Sequence, residues 1–156
     1  MKETTIFETP IGRIRLADEG GFLTECVSAE GEPLSLGEPS PFLSHAKAEL
    51  LEYFRGERKE FDIPVLPKGT AFQKKVWAAL TDIPYGETRS YADIAAAIGS
   101  EKAVRAVGGA NHRNPILILI PCHRVIQKNG SLGGFACGLE KKRFLLELEQ
   151  RQGENV

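Results

Sequence analysis

A cysteine and a histidine stand side by side at the end of an apolar run, where they could form a reactive thiol. The run, residues 116–120, contains only isoleucine and leucine, and a proline bounds it on each side. This pattern predicts a buried strand or strand-like segment that stops at Pro121, because proline cannot donate a ladder hydrogen bond. Cys122, His123 and Arg124 would then lie together at its end. A neighbouring base or cation makes a thiol nucleophilic, and a structural cysteine beside a surface histidine is the alternative.

Two short helices are predicted upstream of this thiol, joined by a glycine–serine turn. Ser90 would cap the first helix, residues 91–98, and Ser100 would cap the second, residues 101–110. A pair of short helices joined in this way is typical of a helix-turn-helix DNA-binding unit. Such patterns also arise by chance. The prediction of a DNA-binding unit therefore depends on the composition of the second helix.

The second predicted helix has little side-chain bulk over most of its length. Its small residues are Ala103, Ala106, Gly108, Gly109 and Ala110. Adjacent glycines cost a helix about 1 kcal/mol each relative to alanine, which is reasonable where a backbone must approach another surface closely. A thin helix with Arg105 in its middle could enter a minor groove and insert that arginine into the base stack. The alternative is a glycine-weakened helix that packs on its own core.

Charge is unevenly distributed along the 156 residues. The balance is −6 over residues 1–67, +7 over residues 68–143 and −2 over the remainder, for a net charge of −1. A basic block suits a surface that binds phosphates, because each neutralised phosphate releases counterions. A solvated face rich in lysine and arginine would give the same count, so charge alone does not decide between these readings.

Composition and cysteine usage limit the compartment and the cofactors. No segment is apolar over the length that spans a bilayer, and the N-terminus lacks the apolar core of a secretory signal. We therefore expect a cytoplasmic protein with no membrane partner. Cys26, Cys122 and Cys137 are irregularly spaced, which argues against a disulfide framework and matches no zinc pattern. No metal and no cofactor are expected.

The elements that position the thiol divide the chain into two parts. Strands are predicted at residues 11–16 and 22–27, and Ser40 should cap a helix over residues 41–55. A linker rich in proline and glycine follows at residues 64–69. Thr70 and Gln73 then form a capping box at the start of a further helix. The predicted fold class is α/β, with a β-rich support domain over residues 1–66 and a helical domain over residues 67–156.

Seven motifs of the second part occur together in one known family. They are residues 70–80, Ile83-Pro84-Tyr85-Gly86, Ser90-Tyr91, Arg105-Ala106-Val107-Gly108, Asn114-Pro115, Ile120-Pro121-Cys122-His123-Arg124-Val125 and Leu132-Gly133-Gly134-Phe135. In this order they resemble the methylated-DNA–protein-cysteine methyltransferases, the O6-alkylguanine-DNA alkyltransferases, over about residues 68–149. The resemblance implies a ribonuclease-H-like N-terminal domain and a helix-turn-helix, winged-helix-like C-terminal domain. It also implies irreversible repair of O6-alkylguanine in double-stranded DNA by a monomer that binds the minor groove and flips the base.

The resemblance also implies roles for particular residues. Cys122 would accept the alkyl group, His123 would act as its base through a water, and Glu149 would hold the imidazole. Tyr91 would assist base flipping and stabilise the departing guanine, and Asn114 would brace the turn before the active site. The residues in contact with DNA would be Ser90, Ala103, Arg105, Gly108, Ala110 and Arg124. Arg105 would occupy the place in the base stack that the flipped guanine leaves. The substrate pocket would be lined by Val125, Phe135, Ala136 and Cys137.

Chemistry at an alkyl carbon predicts a single turnover. Attack by a thiolate on an sp³ carbon leaves a thioether, which has no carbonyl for water to attack. Three other functions remain open from the residues: a non-enzymatic damage sensor, a helix-turn-helix regulator and a papain-like hydrolase. Sensors on this scaffold lack the acceptor cysteine, a regulator has no need of the Cys122–His123 pair, and a hydrolase would turn over many times.

Overall fold

The computed structural model describes residues 2–135 and 137–154, and the chain forms two compact units that divide between Pro67 and Lys68. This division lies one residue after the predicted domain boundary. Ala136, which was predicted to line the substrate pocket, lies outside the described residues.

The first unit is built on a three-stranded antiparallel sheet in the order β1-β2-β3. The strands are β1 (Lys2–Thr9), β2 (Gly12–Glu19) and β3 (Phe22–Ser28). Alternation predicted β2 and β3 but missed β1. On the buried side of β1, Thr5 and Phe7 are 3% and 5% exposed, so a threonine takes a core position and weakens the alternating apolar signal.

One helix, α1 (Pro41–Phe54), packs against the sheet of the first unit. It begins as predicted, because the Ser40 hydroxyl accepts a hydrogen bond from the Leu43 backbone at 3.2 Å and proline follows the cap. The buried residues of this helix are Leu43, Ala46, Glu49, Leu50, Tyr53 and Phe54. They form the core together with the inner faces of β2 and β3.

Helices dominate the second unit. They are α2 (Ala71–Thr81), α3 (Tyr91–Ala97), α4 (Val104–His112) and α5 (Leu139–Glu154), with a parallel pair of two-residue strands, β4 (Arg89–Ser90) and β5 (Val125–Ile126). The predicted capping box of Thr70 and Gln73 is confirmed, with bonds of 2.9 and 3.1 Å. Ser90 caps α3 in the same reciprocal way with Asp93. Among the described residues no helix is both long enough and apolar enough to cross a membrane.

The second helix of the predicted pair begins later than expected. Its N-cap is Ala103, which makes no side-chain capping bond, so the prediction of a Ser100 cap was wrong. The Ser100 carbonyl instead accepts a hydrogen bond from the Ala103 backbone at 2.8 Å. This bond closes a turn over residues 101–102, and the α-helix therefore begins only at Val104.

The apolar run at residues 116–120 forms a tight turn, so the prediction of a strand was wrong. The Leu119 N–H donates to the Leu117 carbonyl at 2.8 Å, and Ile118 between them has φ of 74°. These are the features of a γ-turn with a β-branched residue in a rare, strained conformation. A short apolar run indicates only that the segment is buried. A buried turn and a buried strand both give such a run, so the run does not distinguish them.

Candidate active site

Cys122 begins a single 3₁₀ turn, Cys122–Arg124, directly after the tight turn. Its backbone N–H donates to the Ile120 carbonyl at 2.8 Å, and the turn closes with a 3.0 Å bond from the Arg124 N–H to the Pro121 carbonyl. Cys122 is 2% exposed and His123 is fully buried. The three residues lie together in this buried turn and not at the end of a strand.

Asn114 braces the tight turn from both ends. Its Oδ1 atom accepts from the Ile116 N–H at 2.9 Å, and its Nδ2 atom donates to the Ile120 carbonyl at 2.7 Å. The amide also bonds to the Cys122 thiol and favours the thiolate, which lowers the pKa of that thiol. Asn114 therefore links the strained turn to the candidate nucleophile.

Glu149 on α5 meets His123 and Arg124 in the interior of the second unit. The Nε2 atom of His123 lies 2.6 Å from Oε2 of Glu149, and both side chains are buried. Arg124 donates from Nε to Oε1 at 2.8 Å and from Nη2 to Oε2 at 3.1 Å. The Gly86 N–H adds a bond of 3.3 Å to Oε1. The carboxylate thus has partners on both of its oxygens.

This network fixes the protonation of His123. Burial would raise the pKa of Glu149, but the hydrogen bonds from His123 and Arg124 and the positive charge of Arg124 outweigh it and lower the pKa to about 2. Burial lowers the pKa of His123. At neutral pH the imidazole is therefore neutral and donates its Nε2 proton to the carboxylate. The Nδ1 lone pair is left buried, with no hydrogen-bond partner in the described part of the chain.

Arg124 does not fit its predicted role in DNA binding. Its side chain is 8% exposed, and its third nitrogen, Nη1, bonds to the Ile83 carbonyl at 2.7 Å. Each nitrogen of this buried guanidinium already has a partner inside the protein, so the group is not presented to a phosphate. We therefore remove Arg124 from the DNA-binding set and assign it to the support of Glu149.

The thiol of Cys122 is held in its neutral form. Burial raises its pKa to about 11, against the opposing effects of the Asn114 hydrogen bond and the positive charge of Lys142. A base must therefore remove the proton before the sulfur can attack. No group of three or more histidine, cysteine, aspartate or glutamate side chains in the described part of the chain could hold a metal ion.

Tyr91, the first residue of α3, lies against the loop that follows β5. The Gly134 backbone bonds to its hydroxyl, while burial and the nearby Cys122 raise the pKa of the phenol, which therefore stays protonated. A Cβ atom on Gly133 would lie 2.9 Å from the Tyr91 hydroxyl oxygen, and Gly133 has φ of 71°. Both facts require glycine at this position.

A cavity of about 350 Å³ opens between this loop and α4, and we call it the α4 cavity. Its lining residues are Tyr91, Val104, Arg105, Gly108, Asn111, His112, Gln127 and Gly134. Tyr91, Arg105 and Gly108 were predicted to act at this site. The structure brings them to one surface, where Arg105 is exposed and Gly108 is half-buried.

Ala110 faces away from the α4 cavity, contrary to its predicted contact with DNA. It is 3% exposed, and its carbonyl accepts a 2.8 Å hydrogen bond from the Trp77 indole on α2. Ala110 thus helps to pack α4 against the core. Ala103 is half-buried, and the Ser90 hydroxyl is engaged in capping α3, so a contact of either residue with DNA stays a prediction.

Comparisons with known proteins identify the family of the chain. Residues 71–151 match the family described as 6-O-methylguanine DNA methyltransferase, DNA binding domain. A methylated-DNA–protein-cysteine methyltransferase of Methanosarcina acetivorans is 52% identical over 149 residues, which cover 92% of this chain and 96% of the relative. The chain belongs to the methylated-DNA–protein-cysteine methyltransferases.

Solved structures of methyltransferases share the fold of the whole chain. The O6-methylguanine methyltransferase of Mycobacterium tuberculosis superposes with a TM-score of 0.87 at 45% identity, covering 97% of this chain and 94% of that one. The OGT of the same organism in complex with DNA gives a TM-score of 0.86 at 47% identity, covering 96% and 93%. The predicted family and the predicted α/β fold are confirmed.

The pocket residues predicted for this methyltransferase lie around the loop after β5. Val125 is fully buried, Phe135 is 8% exposed, and Cys137 is half-buried. A negative charge on Cys137 would raise the pKa of the Cys122 thiol, because the two thiols are close enough to interact electrostatically. Contacts of these residues with an alkyl group remain a prediction.

Sequence reasoning missed two buried polar residues of the methyltransferase site. Lys142 is fully buried and bonds to backbone carbonyls, and Asn111 is 3% exposed and donates weakly to the Cys122 carbonyl at 3.4 Å. Lys142 lies seven residues before Glu149, which is two helical turns on the same face of α5. That spacing was the one available signal, and it became meaningful only once Glu149 was known to point inward.

Proposed function

We propose that this methyltransferase repairs double-stranded DNA by transferring the alkyl group of O6-alkylguanine irreversibly to Sγ of Cys122. The observation that carries the proposal is the buried pairing of Glu149 with His123, the residue that follows Cys122 in the chain. Among the described residues the Nδ1 atom of His123 has no hydrogen-bond partner. A base of this kind is what a thiol with a raised pKa requires.

The proposed reaction balances without a cofactor. The proton of Cys122 passes to Nδ1 of His123, through the water that the family resemblance implies. The sulfur then forms a bond to the alkyl carbon as the bond from that carbon to O6 breaks, and the electron pair stays with the guanine. Tyr91 supplies a proton that makes guanine a better leaving group, and the proton taken up by His123 then restores the phenol. The thioether product ends the activity of that molecule.

DNA binding is proposed through the minor groove, with α4 as the element that enters it. The exposed Arg105 and the half-buried Gly108 on one face of α4 support this placement. Arg105 would fill the stack while the alkylated base turns into the α4 cavity, beside Tyr91. We further propose that the protein acts as a monomer in the cytoplasm, and that residues 1–66 support the catalytic domain.

Intact-protein mass after incubation with a duplex that carries O6-methylguanine tests the proposal. We expect one added methyl group per protein, mapped to Cys122 by peptide analysis and absent in Cys122→Ala. Cys26 and Cys137 remain in that variant and report any reaction at another thiol. An unchanged mass with tight binding to the lesion would instead indicate a sensor. Continuous release of product would indicate a hydrolase.

A further inference from the structure

Asn111, near the C-terminal end of α4, places a half-satisfied amide at the α4 cavity. The residue lines that cavity and is 3% exposed. Its Nδ2 atom donates to the Cys122 carbonyl at 3.4 Å, which is a long and weak hydrogen bond. Its Oδ1 atom is buried and has no hydrogen-bond partner among the described residues. The reaction proposed above assigns no role to this side chain.

The orientation of the amide follows from its contact with the Cys122 carbonyl. An amide oxygen facing that carbonyl would repel it, so Nδ2 faces the carbonyl and Oδ1 turns away from it. A buried acceptor without a donor is unfavourable, because it has lost its bonds to water and gained none in return. Such groups are uncommon in folded proteins. One at a cavity wall is explained if the ligand of the cavity supplies the missing donor.

The hydrogen-bond donors of O6-alkylguanine in DNA are limited to a single group. Alkylation of O6 leaves N1 of the ring with a lone pair and no proton. The N3, N7 and O6 atoms are also acceptors, and N9 is bonded to the sugar. The exocyclic 2-amino group is therefore the one donor that the alkylated base carries, and it presents two N–H bonds.

The position of Asn111 suits this amino group. The alkyl carbon on O6 must reach Sγ of Cys122, and Asn111 already contacts the backbone of Cys122. Tyr91 bounds the same cavity from α3. The 2-amino group lies on the same six-membered ring as the O6 substituent, so a base bound at the thiol brings its amino group to the region of the amide. Since the bond to Cys122 is weak, a small rotation of the amide turns Oδ1 towards the base.

We propose that Asn111 selects guanine by accepting a hydrogen bond at Oδ1 from the 2-amino group of the flipped base. A base without that group would leave Oδ1 unpaired, and its alkyl group would be transferred more slowly. The same bond holds the ring in the orientation that presents the alkyl carbon to Cys122. This inference rests on the proposed function, since it names a specificity residue of the same site.

The wild-type protein provides the first test, with two free bases as probes so that base flipping does not enter. O6-benzylguanine and O6-benzylhypoxanthine differ only in the 2-amino group, and each can transfer a benzyl group to Cys122. We expect the reaction with O6-benzylguanine to be at least about 10-fold faster, because the other base leaves a buried acceptor unpaired. Equal rates would overturn the proposal, and no variant has to fold for this measurement.

Substitution of Asn111 separates recognition of the amino group from its effect on the reactivity of the ring. Asn111→Leu keeps the branched shape of the side chain and removes both polar atoms. It should slow the reaction with O6-benzylguanine by about 10-fold and leave that with O6-benzylhypoxanthine nearly unchanged. The ratio of the two rates should therefore fall at least about 5-fold, and intrinsic reactivity cancels when this ratio is compared between proteins. Asn129→Leu, at an exposed position in the turn after β5, is the matched control and should keep the wild-type ratio.

The outcomes are distinguishable from failure of the proposed function. Absence of methyl transfer by the wild-type protein from an O6-methylguanine duplex would contradict the proposed function. A folded Asn111→Leu that slows the reactions with both bases equally would show that Asn111 only holds the Cys122 backbone or a water, and would overturn its role in base selection. Circular dichroism and urea unfolding of each variant identify those that are folded.

Discussion

The Nε2 atom of His123 lies 2.6 Å from Oε2 of Glu149, although 26 residues separate them along the chain. This contact selects the tautomer in which Nδ1 carries the lone pair, and that atom has no hydrogen-bond partner among the described residues. The two Arg124 donors on the same carboxylate keep it ionised. The tautomer of the proposed base is therefore set by a residue from a different element, α5.

Replacing Glu149 with glutamine should slow methyl transfer by about 100-fold, because an amide no longer selects the reactive tautomer of His123. It should also cost roughly 3 kcal/mol of stability, since the Arg124 guanidinium loses its buried counter-charge. Single-turnover rates and urea unfolding measure the two effects. Glu147→Gln, at an exposed position of the same helix, should change neither. Equal rates in the two variants would contradict the assigned role.

Acid should destabilise the protein through the same network. The pKa of Glu149 falls from 4.5 to about 2 on folding, so its contribution is present above about pH 5 and is lost as the pH falls towards 2. The amount is about 3 kcal/mol. The lowered pKa of His123 acts in the same direction below pH 6.5, because the unfolded state binds that proton more readily. Urea unfolding between pH 7 and pH 2.5 should show this loss, and Glu149→Gln should show a smaller slope below pH 5.

Gly133→Ala should impair alkyl transfer more than it impairs stability. Both Gly133 and Gly130 have positive φ, at 71° and 90°, so alanine at either position carries a strain of roughly 1–2 kcal/mol. Only at Gly133 would the new Cβ meet the Tyr91 hydroxyl, whereas at Gly130 it meets nothing within 4 Å. We expect Gly133→Ala to slow transfer by about 10- to 100-fold relative to Gly130→Ala. Similar rates in the two variants would show that the position of Tyr91 is not critical.

Arg105→Ala should separate DNA repair from thiol chemistry. Loss of the side chain that replaces the flipped base should reduce the rate on an O6-methylguanine duplex by about 10-fold. The reaction with free O6-benzylguanine should be unchanged, because it needs no base flipping. Lys75→Ala removes one exposed positive charge from α2 and controls for overall charge. A parallel loss on both substrates would place Arg105 in the chemistry instead.

Cys137→Gly should change the tolerance for bulky O6 groups. Cys137 is half-buried near the reactive thiol, and its side chain occupies space that glycine would free. We expect faster inactivation by O6-benzylguanine with little change for O6-methylguanine. Cys137→Ser keeps the size of the side chain and should behave like the wild type. If all three proteins are inactivated at the same rate, the side chain at position 137 does not limit the pocket.

Local signals in the sequence predicted the elements whose ends are fixed by neighbouring residues. The capping box at Thr70 and the N-cap at Ser90 are examples, since donor and acceptor lie three residues apart. The delayed start of α4 and the turn at residues 116–120 were missed. In both cases a backbone hydrogen bond decided the conformation, and residue type does not encode that bond.

The sequence by itself determined the family and the α/β fold and predicted Cys122 as the nucleophile, because Pro121-Cys122-His123-Arg124-Val125 occurs among other motifs in a fixed order. Only the tertiary structure decided what surrounds that nucleophile. It turned Arg124 inward, left Nδ1 of His123 without a partner and buried Lys142 among carbonyls. The physical reason is that burial and pairing depend on elements far apart in the chain, and a side chain has no fixed charge or role until its neighbours are in place.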